Sequence, residues 1–227
     1  MSSFSYNVEF AVQMKCETCK TKIINELSKI NGIQITDIDV KEQRLLLRLN
    51  DQSPSSFHIQ NVIEKLGIHT IIRGTGEFMT SVSEIHGSEK HIQVMGVARF
   101  VQNNERQCLL DAVIDGLDST KHYKLSVHEY GDLSEPNYQS IGDEIFNFVA
   151  NIIPNGSKLN IKTKVNDCDL TSFIGRAFAI QTDSVIVGAG IMARASKIMD
   201  NSKKICACSG KTLWEEREDA KNTNNTS

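Results

Sequence analysis

No stretch of this 227-residue chain approaches the roughly 20 consecutive apolar residues that a membrane-spanning helix needs. A helical membrane protein is excluded. The opening MSSFSYNVEF has neither the basic nor the apolar region of a secretory signal, so the expected location is the cytoplasm. Basic residues, 25, do not outnumber the 28 acidic ones, the formal net charge is -3, and no long basic run occurs. The electrostatic footprint of a nucleic-acid binder is therefore missing. Proline is scarce at 3 and glycine modest at 14, and with 40% hydrophobic and 23% charged residues this rules out wholesale disorder and a collagen-like repeat. Six cysteines are too few for a disulfide scaffold, and a cytoplasmic compartment is expected to keep them reduced.

What is present begins with two alternating periodicities over residues 6 to 73. Val8, Phe10 and Val12 recur at the spacing of a strand. Ile23, Leu27 and Ile30, with Ile24 beside them, form the stripe of an amphipathic helix over 19–30 that Asn31-Gly32 should end. The polar Lys41-Glu42-Gln43 separates two strands expected at 33–40 and 44–49. After a Ser/Pro loop, Ile59, Val62, Ile63 and Leu66 mark a second helix that Gly67 should stop, and 68–72 supplies a fourth strand. That order is the ferredoxin-like βαββαβ unit. Beyond a hinge candidate at Gly74-Thr75-Gly76, β-rich runs follow at 92–101, 108–114, 124–128, 145–152, 158–165, 174–180 and 185–192, punctuated by Asp115-Gly116 and Pro154-Asn155-Gly156. This is the pattern of an antiparallel sandwich or barrel. The expected organisation is α+β: a ferredoxin-like domain over 1–76, an all-β domain over 77–200 and a polar, flexible tail over 201–227.

Four cysteines form two tight pairs, Cys16 with Cys19 and Cys206 with Cys208, near opposite ends of the chain. Cys16-Glu17-Thr18-Cys19 falls at the expected start of the first helix, where unpaired N–H groups and the helix dipole favour thiolates. Two thiolates without harder ligands suit Cu(I), whereas a structural zinc takes four ligands. A redox pair is the rival reading, since Cys-x-x-Cys at a helix start also occurs in thiol oxidoreductases. The single residue between Cys206 and Cys208 makes an internal disulfide a small strained ring, suited to a labile relay or to a transient Cu(I) site. Trp214, the single tryptophan, is a candidate docking anchor in the tail.

Met14-Lys15-Cys16-Glu17-Thr18-Cys19 in a ferredoxin-like unit resembles the heavy-metal-associated domain of copper chaperones. Ile114-Asp115-Gly116-Leu117, Val127 to Leu133, Phe173-Ile174-Gly175-Arg176 and Gly188-Ala189-Gly190-Ile191 resemble, in order, segments of the Cu/Zn superoxide dismutase fold. Ile205-Cys206-Ala207-Cys208-Ser209-Gly210, with Thr212-Leu213-Trp214-Glu215-Glu216-Arg217, is similar to the third region of the family of copper chaperones for superoxide dismutase. The resemblance implies a Greek-key dismutase-type sandwich or barrel for 77–200 and copper carriage by the two cysteine pairs. It also implies a dismutase subunit as partner, with homodimerisation through the β-domain a further candidate.

Departures from the dismutase pattern are as informative. Ser126-Val127-His128 stands where that family has a His-x-His copper pair, and no histidine follows His128. The long metal-binding loop shrinks to 131–143, so zinc is not expected there. The family's disulfide is lost too, with Ala189 at its late-strand cysteine. One imidazole cannot make the copper centre, so dismutase catalysis is not expected and His128 reads as a structural histidine. Cys108, on a strand face with Leu110, Ala112 and Ile114, reads as buried packing, and Cys168 has no evident partner. The resulting expectation is a non-enzymatic metallochaperone that delivers Cu(I) and assists disulfide formation in a dismutase subunit, with a sulfhydryl-oxidising role toward that client conceivable. The alternatives are a thiol-disulfide oxidoreductase and an interaction module with a structural zinc held by the cysteine pairs.

Overall fold

A computed structural model describes residues 4–103, 106–205 and 208–224. The chain divides into two compact units: Ser5–Thr75 together with the segment from Ser196 onward, and Gly76–Ala195.

In the first unit the elements are β1 (Ser5–Val12), α1 (Glu17–Leu27), β2 (Ile33–Asp39), β3 (Arg44–Asn50), α2 (Ser56–Glu64) and β4 (Thr70–Thr75). They form an antiparallel sheet in the order β2-β3-β1-β4. Alternation dictates the buried face: Val8 lies opposite Leu47 and Phe10 opposite Leu45, and all four are inaccessible to solvent. Ile23 and Leu27 of α1 and Ile59 and Ile63 of α2 are equally buried, each worth about 1.5–3 kcal/mol on burial. Ser55 caps α2 by accepting a 3.1 Å hydrogen bond from the His58 N–H. Gly32 and Gly67, both at positive φ, follow the two helices.

The second unit comprises β5 (Met79–Gly87), β6 (Met95–Gln102), β7 (Cys108–Asp115), β8 (Tyr123–His128), β9 (Glu144–Ile152), β10 (Leu159–Val165), the single turn α3 (Leu170–Phe173), β11 (Ala177–Thr182), β12 (Val185–Ile191) and β13 (Ala193–Arg194). The sheet order is β10-β7-β6-β5-β12-β11-β8-β9, with β13 added beside β5. Phe100 of β6 and Phe148 of β9 are far apart in that order, yet their ring centroids are 5.1 Å apart. The sheet must therefore curl over on itself, giving a nearly closed antiparallel barrel. Phe178 meets Phe100 edge-on at 5.0 Å, and Phe146 and Phe173 extend the cluster.

Three sequence expectations need correction. Strand β5 was not foreseen, because its inward positions Ser81 and Ser83 are polar although fully buried, which hides the apolar alternation. Cys108 and Cys168 are not isolated packing residues but form a disulfide, with Cα atoms 5.7 Å apart. The expectation that every cysteine is reduced fails with it. Finally, the polar tail is not without regular structure over its described part. It carries α4 (Leu213–Asn224), which packs against the first unit through Trp214 and Arg217.

Candidate functional site

Cys16 occupies the N-cap of α1 in extended conformation, with Cys19 one turn on at the solvent boundary. Their sulfurs are 4.0 Å apart. Two metal–sulfur bonds of about 2.3 Å span at most about 4.6 Å, so one ion fits between them. The backbone N–H groups of Cys19 and then Thr18, with the Thr18 hydroxyl, hold the Cys16 thiol below the ordinary thiol range. An exposed two-sulfur site of this kind suits a soft ion and would leave it open to attack by an incoming thiolate. Among the described residues no group of three or more metal-capable side chains comes together, so these residues supply no tetrahedral zinc centre.

The segment leading into the pair is held from two sides. Val12 N–H donates to the Gln43 carbonyl at 2.8 Å, and Gln13 N–H to the His69 carbonyl at 2.9 Å. The Gln43 side-chain amide reaches the Met14 carbonyl at 3.5 Å. Met14 itself is only 2% exposed and belongs to the core, not to the metal site. Sequence reasoning missed Gln43 and His69, because nothing local connects residues so distant with the cysteine loop.

In the tail, Cys208 is an exposed free thiol, whereas Cys206 lies outside the described residues. Ile205 and Thr212 form an antiparallel bridge, so Cys208 sits within a short hairpin.

In the second unit His128 is buried and fully engaged. Its Nδ1 is 3.0 Å from the Gly142 carbonyl and its Nε2 is 3.2 Å from the Ser126 hydroxyl. Ser126, two residues before it on the same strand, thus bonds the imidazole. Superoxide turnover by the copper- and zinc-loaded chain is accordingly expected to match a free-copper blank. Turnover well above that blank, lost in His128→Ala, would overturn this.

The segments 173–176 and 188–191, read above as dismutase-like, come close together beside Met192. Gly175 N–H donates to the Met192 carbonyl at 2.8 Å, Met192 N–H to the Arg176 carbonyl at 2.9 Å and Ala177 N–H to the Tyr130 carbonyl at 3.0 Å. Arg176 braces this edge through the Glu129 and Ser172 carbonyls. A Cβ on Gly131 would come within 2.0 Å of the Gly175 carbonyl oxygen, so only glycine permits the approach. Tyr130 stays exposed beside it.

Residues 9–69 match the heavy-metal-associated domain. The chain is 32% identical to the superoxide dismutase 1 copper chaperone of Kluyveromyces lactis, over 95% of this chain and 94% of that one. It is 31% identical to the superoxide dismutase 1 copper chaperone of Saccharomyces cerevisiae over 95% and 96%, and 28% identical to the human copper chaperone for superoxide dismutase over 92% and 88%. With the cysteine pair at the start of α1, an antiparallel barrel after it and relatives matched over nearly their whole length, the chain belongs to the family of copper chaperones for superoxide dismutase.

Proposed function

We propose that the chain takes up Cu(I) at Cys16 and Cys19 and passes it to a Cu/Zn superoxide dismutase subunit held by the second unit. The observation that carries this reading is the pair of sulfurs 4.0 Å apart at an exposed helix start, with Cys16 biased to thiolate. Copper is cargo here, and transfer is ligand exchange: an acceptor thiolate adds to the two-coordinate ion before a chaperone thiolate leaves. The edge built from 173–176, 188–192 and Tyr130 supports recognition by likeness, since a homologous barrel presents to the client the kind of patch that dismutase subunits present to each other. The same edge makes a homodimer of this chain the competing assembly. Cys206 and Cys208 serve as the delivery pair. A disulfide between them, exchanging with a client dithiol, would leave the client oxidised and the tail reduced. With no histidine after His128, the residue types of the second unit give no support to a zinc site there.

The test is activation of a reduced, copper-free dismutase subunit under a chelator that captures free copper. Copper-loaded chain should activate it where equimolar copper salt does not. A Cys206→Ser, Cys208→Ser variant should still load copper at the first unit and bind the client, yet activate it poorly. Full activation by that variant would remove the tail pair from the mechanism, and no activation by the intact chain would overturn the delivery reading.

A further inference from the structure

The C-terminal segment makes a continuous set of contacts with the unit that bears Cys16 and Cys19. Thr75 N–H donates to the Ser196 carbonyl at 3.1 Å, and a Cβ on Gly74 would lie 2.3 Å from the Lys197 carbonyl oxygen, so the segment lies directly on β4. Met199 N–H donates to Glu9 at 2.6 Å. Glu9 alternates with the core residues Val8 and Phe10, so it faces the opposite side of the sheet, and it is nonetheless only 2% exposed. The Lys204 ammonium then lies 3.8 Å from the Glu42 carboxylate.

After the hairpin that contains Cys208, α4 starts at a capping box. Thr212 N–H donates to the Glu215 carboxylate at 2.7 Å, and Glu215 N–H donates back to the Thr212 hydroxyl at 3.3 Å. Three side chains at helical spacing then face the unit. Trp214 Nε1 donates to Gln43 Oε1 at 3.2 Å. Arg217 binds the two Glu64 oxygens through Nε and Nη2 at 2.9 and 3.0 Å, and Glu218 Oε2 lies 3.5 Å from His69 Nε2. Positions 214, 217 and 218 share one face of a helix, so the contacts form a designed stripe, not a chance touch. Gln43 and His69 are the two residues whose carbonyls hold Val12 and Gln13, the approach to the cysteine pair. Gln43 also holds a left-handed conformation at φ 50, a strain that persists where surroundings enforce it.

We propose that α4 is a latch whose partner is this chain's own metal-uptake unit: Trp214, Arg217 and Glu218 dock on Gln43, Glu64 and His69 and park the Cys208 hairpin on the body that carries Cys16 and Cys19. Latched, Cys208 is held on the same unit as Cys16 and Cys19, which raises the effective concentration of its thiol toward them. Unlatched, the hairpin is free to reach a client. The latch rests on geometry alone, whereas its consequence for copper rests on the proposed function.

The test uses the full chain with Glu64→Arg, Arg217→Glu and the double charge swap. Trp214 is the single tryptophan, so its emission reports docking directly. Each single variant should shift that emission to the red and speed proteolysis within 196–212 about tenfold, the effect of losing a charge-assisted bidentate pair. The double swap should restore both. Unchanged emission and cleavage in Arg217→Glu, or no restoration in the swap, would overturn the latch. If Arg217→Glu unfolds the unit by circular dichroism, Arg217→Gln carries the same test with the charge alone removed. Copper loading at Cys16 and Cys19 should remain stoichiometric in every variant, so loss of loading would count against the copper reading and not against the latch.

Discussion

Replacing Cys16 and Cys19 with serine, in a chain whose Cys206 and Cys208 are also serine, is expected to abolish thiolate-bound copper while leaving the fold intact. Neither side chain supports the core, which α1 serves through Ile23 and Leu27. Cys16 stands at the N-cap, where serine is a favoured residue, so the helix start should stay at least as stable. What disappears is the soft donor set: a hydroxyl does not ionise near neutral pH and is a poor ligand for Cu(I). Because Cys16 titrates below the ordinary thiol range, uptake by the intact pair should persist as pH falls further than it would for an unperturbed thiol. Copper stoichiometry with unchanged circular dichroism is the measurement, and a variant that still binds one copper at the first unit would reject the site.

The second large effect is expected from the disulfide between Cys108 and Cys168. It links the first residue of β7 to the turn before α3 across a sequence separation of 60, and both residues are wholly buried. Loop-closure entropy for a loop of that length amounts to about 4 kcal/mol, and typical measured values run about 2–4 kcal/mol. A Cys108→Ala, Cys168→Ala variant should lose stability in that range, with a melting temperature lower on the order of 10 °C. The tether is also functional in position, because the chain it anchors runs through α3 into Ile174, Gly175 and Arg176 at the proposed client edge. Denaturant unfolding with and without reductant checks it: reduction should bring the intact chain down to the level of the variant. Equal stability of all three would show that the bridge does not constrain the unfolded chain.

Gln43 illustrates why part of the site was not legible in advance. Composition places it in a polar hairpin turn, and that expectation is correct, yet its role comes from three groups brought to it by folding: Val12, Met14 and Trp214. The tail was misread for a related reason. A polar helix with its charges on every side carries no apolar stripe, and α4 is held by an indole hydrogen bond and an Arg–Glu pair whose partners lie far back in the sequence. Strand β5 escaped because small hydroxyl residues fill its inward positions, and β12 lies so close that a Cβ on Gly190 would come within 1.9 Å of the Glu84 carbonyl oxygen.

The sequence by itself determined the βαββαβ order and the place of Cys16 and Cys19 at a helix start. Each depends on short-range physics: periodicity and capping. Only the tertiary structure decided that Cys168 meets Cys108, that 175–177 join Tyr130 and Met192 at one edge and that α4 returns to the first unit. Those outcomes depend on strand register, such as Val165 lying opposite Cys108, and on surfaces that exist only once distant segments have packed.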